Sequence, residues 1–190
     1  MKTLKNFVLT AWVMACSTIL CQADPITNLS VIKGKILVFK NGQTVKLVTN
    51  FSNTTWDEDT PMKSFWIEEY GENYLEDELD EAYEEFFTLL HDAFVTGFEK
   101  GSCPLQSVDE DADYTVSVTI RNFHDARDMW HRTTIAYGLV DIIDNAKGRM
   151  VCRLKIDRLK GKESNDKTNG TIDCMKRVGK SVSLKMRKSY

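Results

Sequence analysis

The chain has 190 residues, a formal net charge of −3, three histidines and five cysteines. Its 42% hydrophobic content lets a chain of this length bury one sizeable core, so a single domain is expected. The slight negative balance argues against nucleic acid as a partner. The cysteines fit no zinc-ribbon or CxxC spacing, and no later stretch reaches the ~18 apolar residues of a membrane span.

The N-terminus reads as an export signal. Lys2 and Lys5 form a short basic region, Phe7 to Leu20 carries no charge, and Cys21-Gln22-Ala23 is a small-x-small site ahead of Asp24. This places a signal peptide at 1–23 and a single α+β domain at 24–190, exported from the cytoplasm. A rival cut lies in the same stretch. Val13-Met14-Ala15-Cys16 resembles the box before a lipid-modified cysteine, and acylation of Cys16 would tether the domain to a membrane. After cleavage at Ala23 the thiols left are Cys103, Cys152 and Cys174, an odd set for an oxidising compartment. Cys152 alternates with Met150, Leu154 and Ile156 and reads as a core thiol, while a bridge between Cys103 and Cys174 stays open.

Two apolar runs in KILVFKNGQTVKLVTNF flank Asn41-Gly42, a pair suited to the positive φ values of a two-residue turn, so a β-hairpin is expected there. Trp56, Phe65, Trp66 and Tyr70 follow in an acidic crossing with a helical turn near Phe65 to Tyr70. These rings either pin the crossing to the core or form a partner site. From Asn73 to Lys100, apolar residues including Leu79, Phe86, Leu90, Phe94 and Phe98 recur at steps of three and four, the stripe of an amphipathic helix. Asn73 and Glu76 are spaced as a capping box, Gly101 is placed to close the helix in the left-handed region, and Pro104 bars its resumption. The stripe implies a sheet beneath it, with an aromatic-lined ligand groove as the alternative.

Beyond the helix, Tyr114, Val116, Val118 and Ile120 alternate with polar residues as in a half-buried strand. A polar link, Phe123 to Arg132, leads to a second strand, TTIAYGLVDIID. Asn145 to Gly148 turns the chain into a third strand through Met150, Cys152, Leu154 and Ile156. Lys160 to Asn169 reads as a charged loop, and Ile172, Met175, Val178, Val182 and Met186 mark a terminal helix. The order β-β-α-β-β-β-α gives an α+β two-layer sandwich, a largely antiparallel sheet with two amphipathic helices on one face.

Charge is polarised along the chain. Asp57 to Glu85 holds thirteen acids and one base; Lys147 to Lys188 holds fourteen bases and four acids. Helices of opposite sign can complement each other side by side, or the basic terminal helix can face anionic lipid, lipopolysaccharide or a partner protein. Catalytic spacing is sparse. His91 is expected on an exposed helix face, and His124, Asp125, Asp128 and His131 share one link, where an acid–base pair or weak metal site would make a small metal-binding hydrolase. No other catalytic, cofactor-binding or metal-binding residue is assigned, and no cofactor is expected. Asn28, Asn50, Asn53 and Asn169 open Asn-x-Ser/Thr sequons, which matter only in a host that glycosylates them.

The succession VTNFSNTTW, FVTGFEKG, DADYTVSVTIRNF, RMVCRLKIDRLKG and MKRVGKSVSLKMRK resembles small exported proteins of unknown function from the Gram-negative envelope, over Val45 to Lys188. More distantly, the layout is similar to modules of the curli-secretion lipoprotein, the Tol periplasmic N-terminal domain and the lipoprotein that assists lipopolysaccharide insertion. The resemblance implies a non-catalytic assembly or interaction module. Its partners would be other envelope proteins or further copies of itself, with contact to membrane or lipopolysaccharide through the basic helix. A lipid carrier, holding an acyl chain between helices and sheet, is the third reading.

Overall fold

The computed structural model describes residues 28–57, 59–127 and 132–187. The stretch expected to be a signal peptide, with Cys16, and the candidate residues Asp128 and His131 lie outside them. The elements are β1 (Leu29–Gly34), β2 (Thr44–Asn50), β3 (Thr55–Trp56), β4 (Thr60–Pro61), α1 (Met62–Tyr70), α2 (Leu79–Glu99), β5 (Gln106–Ser107), β6 (Tyr114–Arg127), β7 (Arg132–Asp144), β8 (Arg149–Glu163) and α3 (Lys167–Arg187). The sheet runs β1-β8-β7-β6-β2-β5, the α+β class read from the sequence. Its centre, β6-β7-β8, is an antiparallel meander. β2 lies parallel to β6, because α1 and α2 carry the chain back across one face between them.

That face holds the core. Val118 and Phe123 of β6, Val140 of β7 and Leu154 of β8 are fully buried against a layer including Leu90 and Phe94 of α2 and Val178 of α3. Each such large side chain contributes roughly 1.5–3 kcal/mol on burial. The crossing aromatics join the core: Trp56 stacks on Phe65 at 4.0 Å, and Trp66 lies 5.7 Å from Tyr83. Lys167, at the start of α3, sits over the Phe65 ring at 5.1 Å and pairs with Glu69, tying α1 to α3.

The acidic and basic helices lie side by side, backbone to backbone. A Cβ at Gly97 would stand 1.9 Å from the Lys176 carbonyl oxygen, and one at Gly179 would stand 2.0 Å from that of Phe94. Only glycine permits that approach. Gly101 serves the same contact, since its Cβ would meet Ser183 at 2.3 Å; the left-handed residue that closes the segment is Ser102, φ 60°, not Gly101.

Four local expectations are corrected. Asn41-Gly42 does turn the chain, with Gly42 at φ 87°, but no hairpin forms: β1 pairs antiparallel with β8 at one edge, and β2 pairs with β6 far across the sheet. The apolar run before the turn is used differently, Phe39 being buried edge-on against Tyr114 at 5.1 Å. The capping box is absent. α2 starts at Leu79, and the Asn73 amide instead donates to the Tyr70 carbonyl at 3.1 Å. The polar link is largely strand, because Phe123 faces the core in register with Ala136 and carries β6 on to Arg127. Likewise β8 continues to Glu163, and the charged loop shrinks to a cap in which Asp166 Oδ1 accepts the Asn169 N–H at 2.8 Å.

Candidate functional site

The residues singled out for chemistry are separated by the strand they share. Within β6, His124 is in register with Ile135 and Asp125 with Thr134, so their side chains leave opposite faces of the sheet. Asp125 turns to Arg127 and Arg132, at 3.5 and 4.0 Å. His124 finds a partner that spacing did not suggest, Asp57. Its Nδ1 lies 2.9 Å from Asp57 Oδ1, which also accepts the Asp125 N–H at 3.0 Å.

Asp57 is held there by its neighbours. Trp56, stacked on Phe65, is in register with Phe123, and the next residue must turn away, so Asp57 takes φ 52° and donates its N–H to the Phe123 carbonyl at 2.7 Å. Asn122 closes the arrangement by donating to Thr55 Oγ1 at 2.8 Å and to the Asp57 carbonyl. A carboxylate on Nδ1 orients the imidazole as in a general base. Among the described residues, no group of three or more His, Cys, Asp or Glu could hold a metal ion. Aspartate's tolerance of the left-handed region was the only sequence hint to Asp57.

His91 is half-buried and not exposed, its Nδ1 3.1 Å from Thr49 Oγ1. Cys103, Cys152 and Cys174 are free thiols. Cys103 abuts Ser183 and Cys174 abuts Leu159; positions 174 and 183 of α3 are about 13 Å apart, beyond the reach of a disulfide. Burial pushes the Cys103 thiol up, and that of Cys174 up to about 12.

The sheet has a second face, and among the described residues no helix packs on it. Ser117, Asp141 and Arg153 form one register row across β6, β7 and β8, and Thr119, Leu139 and Lys155 form the next. Down β7 this face presents Ile143, Leu139 and Tyr137, all half-buried. Lys46 stands exposed on β2 and Lys155 on β8, one to each side. Acids here are matched: Arg153 grips Asp141 at 2.6 and 2.7 Å, a bond that raises the Arg153 pKa, and Asp157 lies 3.1 Å from Lys155. The surface therefore carries apolar side chains down β7, interrupted by the Asp141–Arg153 pair, with hydroxyl flanks and lysines at its sides, Lys155 shared with Asp157. The sheet edges are blunted. β1 exposes Val31 and Ile32 but is bulged between Val31 and Lys33, and β5 is two residues long. No helix among the described residues is long and apolar enough to cross a membrane.

No family model matches this chain, and no curated protein matches it significantly. Among solved structures it is similar to the PelC dodecamer from Paraburkholderia phytofirmans in space group P6, at 10% identity and TM-score 0.42, over 82% of this chain and 94% of that one. It is also similar to a single-substitution variant of that dodecamer in space group C2, at 10% identity and TM-score 0.43, over 84% of this chain and 97% of that one. At this identity the likeness concerns the course of the chain alone.

Proposed function

We propose that this chain is a non-catalytic interaction module of the Gram-negative cell envelope, exported to the periplasm, and that it docks through the sheet face left free of helices. The observation that carries this reading is the composition of that face: Tyr137, Leu139 and Ile143 in the middle, with Lys46 and Lys155 at its sides. Apolar side chains left partly open to water, set around one ion pair and flanked by lysines, suit a protein-docking surface. The filled space between the layers favours docking over carriage of an acyl chain, since Phe94, Phe98, Val118 and Val178 occupy it. The His124–Asp57 pair supports a turn-fixing role, because Asp125 and Arg132 are committed to each other on the opposite face.

The test is a photo-crosslinking residue placed at Leu139, or at Val38 as an exposed control away from this face, in protein expressed in Gram-negative cells. Adducts at Leu139 well above those at Val38, recovered with the envelope fraction, are expected. Equal labelling at both positions, or retention in the cytoplasm, would contradict the reading.

A further inference from the structure

We infer that the partner of the open sheet face is a second copy of this chain, presenting the acidic outer face of its α2. The inference rests on the docking role just proposed and names the occupant. Along α2, Glu81, Glu84, Glu85 and Asp92 are exposed on the side turned away from the sheet. Leu89, 51% exposed, sits among them one helical turn from Glu85 and Asp92, and Leu75, 65% exposed, lies just before the helix beside Glu76 and Asp77. The acidic helix thus carries bare leucines within its charge, while the sheet carries Leu139 and Tyr137 between Lys46 on one side and Lys155, shared with Asp157, on the other. Each surface supplies what the other lacks, in sign and in apolar content.

The sizes agree. Four strands spaced ~4.8 Å apart, over ten residues at ~3.3 Å each, make a platform of roughly 600 Å² in projection. That is of the order of the ~800 Å² of accessible surface that each partner contributes to a stable interface. A helix of 21 residues, about 31 Å long, spans it. Sheet to sheet sets Lys46 and Lys155 against their own kind, and α2 to α2 does the same with the glutamates, so neither surface pairs favourably with itself. The contact is therefore head-to-tail, and its repetition gives a ring or an open chain. An anionic lipid surface would satisfy the basic rim but leave Leu75 and Leu89 bare on the far side, whereas a second copy covers both.

The experiment is sedimentation velocity over a concentration series, at low and high ionic strength, on the wild type and two variants. One variant, Lys46→Glu with Lys155→Glu, loses only the sheet face; the other, Glu81→Lys with Glu85→Lys, loses only the helix face. All four positions are exposed, and circular dichroism checks that both variants are folded. The wild type is expected to form species larger than a monomer at low salt and to release them at high salt. Each variant alone should associate at least about tenfold more weakly. An equimolar mixture should recover association, since the intact sheet face of one variant meets the intact helix face of the other and the two reversed faces are again opposite in sign. A wild type that stays monomeric, variants that associate as it does, or a mixture that stays monomeric would each overturn the inference. A monomeric wild type whose Leu139 still crosslinks to another envelope protein would overturn self-docking and leave the docking role standing.

Discussion

Arg153 on β8 holds Asp141 on β7 by two parallel hydrogen bonds, 2.6 and 2.7 Å long, in the middle of the helix-free sheet face. A planar guanidinium meeting a carboxylate edge-on is the strongest geometry that pair can adopt, and here it fixes neighbouring strands. Both partners keep contact with water, at 37% and 25% exposure, which limits the gain. Asp141→Asn is expected to lower stability modestly, read as a urea midpoint shifted to lower concentration. A denaturation midpoint identical to wild type would mean that the pair contributes nothing.

The helix–helix contact makes a sharper prediction. Gly179→Ala drives a methyl group into the Phe94 carbonyl and is expected to cost about 1–3 kcal/mol, as overpacking does. Gly97→Ala should behave likewise against Lys176. At Gly42 nothing lies within 4 Å of the added carbon, so Gly42→Ala should cost only its φ of 87°, about 1 kcal/mol. If urea midpoints ranked Gly42→Ala as the most damaging of the three, the close packing of α2 and α3 would be in error.

The thiols should react unequally. Cys152 and Cys174 are fully buried, and burial holds the Cys174 thiol protonated up to about 12, whereas Cys103 is only partly covered. Iodoacetamide on the folded protein, read by peptide mass, is expected to modify Cys103 first and Cys174 only after denaturant is added. Because the folded pKa of Cys174 lies above the usual thiol value of about 8.5, its contribution to stability is complete below that pH and fades as pH rises toward 12. Labelling of Cys174 at the rate of Cys103 in native buffer would show that α3 opens readily.

A carboxylate at the β7–β8 turn responds in the other direction. The Lys147 ammonium, hydrogen-bonded at 2.6 Å, holds Asp144 below the usual carboxylate range. A depressed folded pKa gives stability that is present above about 3.9 and lost as pH falls through the folded value. Asp144→Asn should therefore be less stable than wild type at pH 6, with the gap closing as both are taken into strong acid. A gap that widened on acidification would contradict this pairing.

The parts of the fold legible in the sequence were those written in local periodicity. The stripe from Leu79 to Phe98 and the alternation from Tyr114 to Ile120 each specify an element and its buried side without help from distant residues. Long-range choices were hidden. Asn41-Gly42 does bend the chain, but whether the strands on either side pair depends on what else competes for β2, and β6 offers Val116 opposite Leu47. The Asp57–His124 contact was equally invisible, since it depends on Trp56 pairing in register with Phe123 of β6, far along the sequence. The helix-free face could not be told from a covered one, because the second side of β7, with Leu139 and Ile143, is nearly as apolar as its first.

Oxidative footprinting of the intact protein, dilute and concentrated at low ionic strength, decides whether the sheet face of one copy meets α2 of another. Modification of Tyr137 and Leu139 on the sheet face, and of Leu89 on α2, is expected to fall together as concentration rises, while Val38, 59% exposed in the connection between β1 and β2, is modified equally throughout. Rates at Tyr137 and Leu139 that ignore concentration, or that fall only in step with Val38, would contradict it.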